Sequence, residues 1–221
     1  VTKISNQLNK KFGVESVGFS VDITNEKQIE KNVNQIIDRY GKIDGLVNNA
    51  ANNPKVECSK DKNFSRWENF QLDIWNQDIS VGLTGAFLCA KHYGYCISKN
   101  TNGGSIVNIS SVDALSGDDK PQEAYGASKA AMIRLSKSIA IQYASKNIRS
   151  NSILPGPVDT PMQKRWGENP NAKKNLIKII PLQRIGKPEN IADTVLFLLS
   201  EQSCFITGTE IIVDGGLKAR P

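Results

Sequence analysis

Apolar positions recur at helical spacing in some stretches of the chain and alternate, or run on, in others. The opening "VTKISNQLNKKFG" places Ile4 and Leu8 on one face and predicts a helix over 1–13, with Gly13 as its stop. In "SVGFSVDIT", Val17, Phe19 and Val21 alternate, which predicts a strand over 16–24 with Asp22 at its end. Thr24 stands where a cap is expected, followed by Ile29, Val33, Ile36 and Ile37 at helical spacing and a stop at Gly41. "IDGLVNNA" (43–50) reads as a short strand, 72–99 as a long amphipathic helical segment, "SIVNISS" (105–111) as a strand and 121–146 as a helix. "IRSNSILPGP" (148–157) reads as a strand broken by Pro-Gly, and 161–187 as loop-rich. "PENIADTVLFLLS" then reads as a helix and "TEIIVDGG" as a last strand.

Near-continuous apolar strands separated by helices are the mark of a parallel sheet covered on both faces. The expected class is therefore α/β. With no internal repeat or linker, 1–221 is expected to be one domain. Ligands of such sheets bind beyond the carboxyl ends of the strands. Asp22, Asn48, Ser111 and Pro155–Gly156 fall at those ends and are expected to converge.

Composition narrows the function classes. The 221 residues carry a net charge of +6, but the Lys and Arg are scattered among Asp and Glu, which argues against nucleic-acid binding. No run approaches the ~18 apolar residues of a membrane span, and no secretory signal opens the chain. Cys58, Cys89, Cys96 and Cys204 show no CxxC spacing and His92 is the single histidine, so no zinc set is expected. The expected setting is a reducing cytoplasm with free thiols.

The candidate chemistry lies in "EAYGASKAA" (123–131). Tyr125 and Lys129 are four residues apart and share a helix face. A phenol titrates near 10, so proton transfer at pH 7 asks for a drop of about 3 units, or roughly 4 kcal/mol. A nearby ammonium favours the phenolate and is expected to supply part of it. Ser111, at a strand end, could hold a substrate oxygen and stabilise charge developing on it. Gly126, Ala127 and Ser128 would let a flat ring come close.

In their order, "NNAA" (48–51), "NISS" (108–111), YxxxK (125–129), "PGPVDT" (155–160), "RIGKPENIA" and "TGTEIIVDGG" resemble the short-chain dehydrogenase/reductase family across essentially the whole chain. The resemblance implies a Rossmann-like fold and NAD or NADP as cofactor. It implies interconversion of a ketone and a secondary alcohol by hydride transfer. Tyr125 would be the general acid or base, Lys129 would lower its pKa and hold the nicotinamide ribose, and Ser111 would orient the substrate carbonyl. Asp22 and Ile23 would lie at the adenine, and Asn49, Ala50 and Ala51 near the adenosine ribose. Pro155, Gly156, Val158 and Thr160 would lie at the nicotinamide carboxamide. The family's two apolar helices imply a homodimer or homotetramer, and Met162 and Trp166, in the segment that closes over substrate in the family, either line the pocket or are structural. Trp75 and His92 are given structural roles. The substrate class implied is that of bacterial 3-oxoacyl-carrier-protein reductases or of members modifying flagellin or surface sugars.

Two departures stand out. The family's Gly-rich TGxxxGxG turn, which receives pyrophosphate at a helix N-terminus, does not occur, and the chain opens at Val1 inside a helix. A βαβ piece of roughly 30–40 residues is thus expected to be missing, leaving a doubly wound sheet truncated at its N-terminal side, as in a fragment. "SVGLTGAF" also puts Gly82 where the family has an asparagine that serves a proton relay to Lys129. The alternative to an active oxidoreductase is an impaired fragment or a binding scaffold without turnover.

Overall fold

The computed structural model describes residues 1–52, 67–117, 122–160 and 170–219. Four parallel strands form one sheet in chain order: β1 (Gly45–Asn48), β2 (Gly104–Ile109), β3 (Ile148–Pro155) and β4 (Glu210–Val213). The register pairs Asn48 with Asn108, Ile109 with Ile153 and Pro155 with Val213, so the carboxyl ends line one rim. This is one wind of a doubly wound sheet. Among the described residues β1 and β4 are its edges, and Val47 of β1 is half-exposed.

The helices are α1 (Thr2–Phe12), α2 (Glu26–Tyr40), α3 (Leu72–Ile79), α4 (Gly85–Ile97), α5 (Glu123–Tyr143), α6 (Pro170–Ile179) and α7 (Pro188–Leu199). Alternation along the strands sends Ile106 and Ile148 to one face, where they pack with Ile36, Ile97 and Ile139 from α2, α4 and α5. Val107, Ile109 and Ile153 go to the other face, against Leu198, Ile191 and Val195 of α7. A polar line crosses the sheet at its middle. Asn48 Nδ2 donates to Asn108 Oδ1 (2.8 Å), Asn108 Nδ2 to Ser150 Oγ (3.4 Å), and the Ser150 and Ser136 hydroxyls lie 3.0 Å apart.

The structure corrects three sequence expectations. Residues 16–24 form no strand, although their apolar alternation is genuine: among the described residues no strand lies beside the stretch to form a ladder, and side chains such as those of Asn9 and Gln28 meet part of its backbone instead. The cap of α2 is Asn25, whose side chain accepts from Gln28 N, whereas the Thr24 hydroxyl donates to Asp22 Oδ1 at 2.7 Å. The segment expected to be loop-rich contains α6, whose Leu176 and Ile177 pack on Ile180 and Ile185. Cys58, Met162 and Trp166 lie outside the described residues.

The long segment after β1 is one helical run with a fault. Between α3 and α4, Ser80–Thr84 forms a π-helical turn that holds Gly82. Such turns free backbone groups and re-aim the faces on either side.

Candidate active site

Strand β2 ends at Ile109, and the next two serines turn to opposite tasks. Ser110 Oγ donates to the carbonyl of Lys129 at 2.7 Å and ties helix α5 to the strand. Ser111 caps the short turn Val112–Leu115 by accepting from Asp113 N at 3.1 Å, which leaves its own proton for another partner. The Tyr125 phenol lies close enough for the Ser111 hydroxyl to favour its ionised form. The turn Val112–Leu115 itself packs on α5.

Tyr125 and Lys129 point inward from α5. Lys129 is only 2% exposed, and its ammonium lies 5.5 Å from the centre of the Tyr125 ring. Its hydrogen bond goes to the carbonyl of Ile109 at 2.7 Å. Sequence reasoning expected the ammonium to bring the phenol's pKa down. Burial dominates instead and pushes Tyr125 up to about 12, against the smaller downward pull of the Ser111 hydroxyl. Burial likewise brings Lys129 down to about 8. A low-polarity site favours the neutral form of each group, so the phenol keeps its proton at neutral pH.

The expected cofactor residues divide between two cavities. Ile23, Asn49 and Ala50 line one of about 460 Å³ along the edge of β1, with Leu46, Asn48, Cys89 and Tyr93. Val158 lines another of about 590 Å³ beyond β3 and β4, with Arg184, Asn190 and Asp214. Pro155 and Gly156 belong to the end of β3, where Gly156 N donates to Val213 O; a Cβ at Gly156 would lie 2.6 Å from that of Asp214. Ala51 and Thr160 are half-buried nearby in sequence. Asp22 is exposed and its carboxylate is taken up by its own turn, where Thr24 N and Oγ1 both donate to it and hold its pKa below the usual range. Of the four strand ends expected to converge, Asn48, Ser111 and Pro155–Gly156 end or follow strands of the sheet; Asp22 ends none, though its neighbour Ile23 shares a cavity with Asn48.

Sequence reasoning missed one residue in this region. Asp78, in the last turn of α3, is 3% exposed, and its Oδ2 has no hydrogen-bond partner among the described residues. Burial raises its carboxyl to about 6. The signal was present: Trp75, Asp78 and Gly82 recur at spacings of three and four, which puts a carboxylate on the inward stripe of an amphipathic helix. The other unexpected cluster, Glu26, Glu30 and His92, joins α2 to α4 at the surface, where Glu26 is already bonded to Lys91 (2.6 Å) and His92 (2.7 Å).

Comparison with known proteins identifies the family. Residues 2–218 match the family model described as enoyl-(acyl carrier protein) reductase. The chain is 37% identical over 199 residues to the 3-oxoacyl-[acyl-carrier-protein] reductase FabG of Thermotoga maritima, covering 90% of this chain and 76% of that protein. Among solved structures, the aldohexose dehydrogenase of Thermoplasma acidophilum superposes with a TM-score of 0.82 at 34% identity, over 92% of this chain and 78% of that one. ElxO with NADP bound superposes with a TM-score of 0.85 at 28% identity, over 99% of this chain and 86% of that one. The chain belongs to the short-chain dehydrogenase/reductase family of NAD(P)-dependent oxidoreductases and is 3-oxoacyl-carrier-protein-reductase-like within it.

Proposed function

We propose that the chain carries the proton-transfer half of a carbonyl reductase site, reducing a ketone to a secondary alcohol and running the reverse reaction more reluctantly. The observation that supports this is the buried Lys129 ammonium 5.5 Å from the centre of the Tyr125 ring, with Ser111 at the adjoining strand end. A phenol held near 12 is a proton donor at pH 7, which favours the reductive direction. Tyr125 gives its proton to the carbonyl oxygen as that oxygen gains charge. Ser111 shares the oxygen and keeps it in reach.

The residues present fit a nicotinamide dinucleotide on this side of the site. A buried ammonium with a single carbonyl partner among the described residues has donors to spare for ribose hydroxyls. Asn49 and Ala50 would face the adenosine side, and Val158 and Thr160 the carboxamide. When bound, the nicotinamide supplies or accepts the hydride. The described residues contain no Gly-rich turn to receive the pyrophosphate.

The assembly proposed is a homodimer or homotetramer through α4 and α5. Phe87 and Tyr95 of α4 and Ile141 of α5 are exposed by 48%, 57% and 79%, more apolar surface than these helices need against their own sheet.

A second reading, a family-derived binding scaffold without turnover, is favoured by the edge of β1 and the cavity beside it. Titration with NADH and NADPH separates the two. It is done on this chain and on a version preceded by the βαβ unit of the Thermotoga maritima relative, followed by assay with acyl thioesters and nucleotide sugars. Tyr125-dependent reduction in either version supports the enzyme; cofactor binding without reduction by any substrate tried supports the scaffold.

A further inference from the structure

A carboxyl group buried without a partner costs folding free energy, because it must either hold a proton or carry an unsolvated charge. Asp78 is in that position, the one buried residue of helix α3. Helix α3 packs along α5, and the next inward position, Gly82, abuts Ser128: a Cβ there would lie 2.8 Å from the Ser128 hydroxyl. Both crossover helices run back against the parallel strands and so run side by side in the same sense. One turn before Gly82, Asp78 therefore stands at the turn before Ser128, which begins with fully buried Ala124 and carries Tyr125.

That turn is short of acceptors. The backbone N–H groups of Glu123, Ala124 and Tyr125 lie where a helix offers none of its own, and no group among the described residues accepts from them. Glu123 does not answer the need, since its own Oε2 is also buried without a partner. An acceptor-only side chain and a set of orphan donors thus stand on neighbouring turns of two packed helices, where a bridging water would join them.

We propose that Asp78 is a positioning residue for Tyr125: its buried carboxyl supplies the acceptor that the first turn of α5 lacks, and so fixes the turn on which the phenol stands. The proposal rests on the oxidoreductase reading only for its catalytic consequence. It also accounts for the cost of the residue, because an apolar side chain at 78 would pack better and leave the catalytic turn looser.

The test uses Asp78→Leu, with Asp78→Ala as a second truncation, and Asp78→Asn as the conservative variant that keeps an acceptor oxygen. Amide exchange over 123–126 is read in each full chain. Both truncations are expected to speed exchange there about five-fold, the size of a lost helix cap, while Asp78→Leu raises the Tm. Asp78→Asn is expected to keep the slow exchange. In a version that turns over, Asp78→Leu lowers kcat with KM little changed. Unchanged exchange over 123–126 in both truncations, or equal loss in Asp78→Asn and Asp78→Leu, would overturn the proposal. If exchange responds as expected but Tyr125→Phe leaves carbonyl reduction unaltered, the oxidoreductase reading fails and the positioning of Tyr125 by Asp78 stands.

Discussion

The ammonium of Lys129 lies 2.7 Å from the carbonyl oxygen of Ile109, so the buried cation of the candidate site is tied to the last residue of the strand that delivers Ser111. In return, Ser110 of the same strand end donates to the carbonyl of Lys129. The two bonds lock α5 to β2 where Tyr125 and Ser111 must meet.

Burying that ammonium opposes folding, and the sign follows from its pKa. Lys129 titrates near 8 in the folded chain against 10.5 when solvated, so the folded state is penalised while the unfolded lysine is charged. The penalty is full below pH 8, at most about 3 kcal/mol, and disappears as pH rises from 8 through 10.5. Lys129→Met is expected to be more stable than the parent at pH 7, with the gain shrinking towards pH 10.5 in denaturant titrations, and to lose turnover. A gain independent of pH would contradict the buried charge.

Tyr125 is expected to remain protonated in the cofactor-free chain until well above pH 10, since burial pushes it up to about 12. Difference absorbance between the parent and Tyr125→Phe, recorded from pH 8 to pH 12, should show its phenolate only at the top of that range. In an active version, Tyr125→Phe should cost on the order of 10²–10⁴ in rate.

The polar line through the sheet is satisfied only as a set. Asn108→Leu would leave the Asn48 amide with a single long contact, to Ala86 O at 3.5 Å, and remove a donor from Ser150. The expected loss is about 1–3 kcal/mol, visible as a lower Tm. Replacing Asn48 as well should cost less than the sum of the two changes, because no orphan is then left on that side.

Gly82→Asn puts the family's side chain into a space that the Ser128 hydroxyl already borders at 2.8 Å from the new Cβ. That hydroxyl donates to the carbonyl of Tyr125 at 2.8 Å, so it must turn away and release the catalytic turn. The expected outcome is a lower Tm and no gain in turnover; a gain would show that the missing amide limits this chain more than the displaced serine.

Much of this was readable from residue order alone. The spacing of Tyr125 and Lys129, the placing of Ser111 after an apolar strand, the four strands of the sheet and the helices between them other than α6 follow from local periodicity, because α and β backbones present side chains at fixed intervals. Residues 16–24 mark the limit: their alternation is that of a strand, but a strand needs a partner for its backbone, and only the assembled sheet says whether one is there. The direction of the Tyr125 shift was decided by tertiary structure for the same kind of reason. Sequence places a charge four residues from the phenol, while the packing around it sets how much water remains to stabilise the phenolate, and burial won. Asp78 is the third case, an ordinary helix residue in the sequence that becomes an unpartnered interior acid only when α3 is laid against α5.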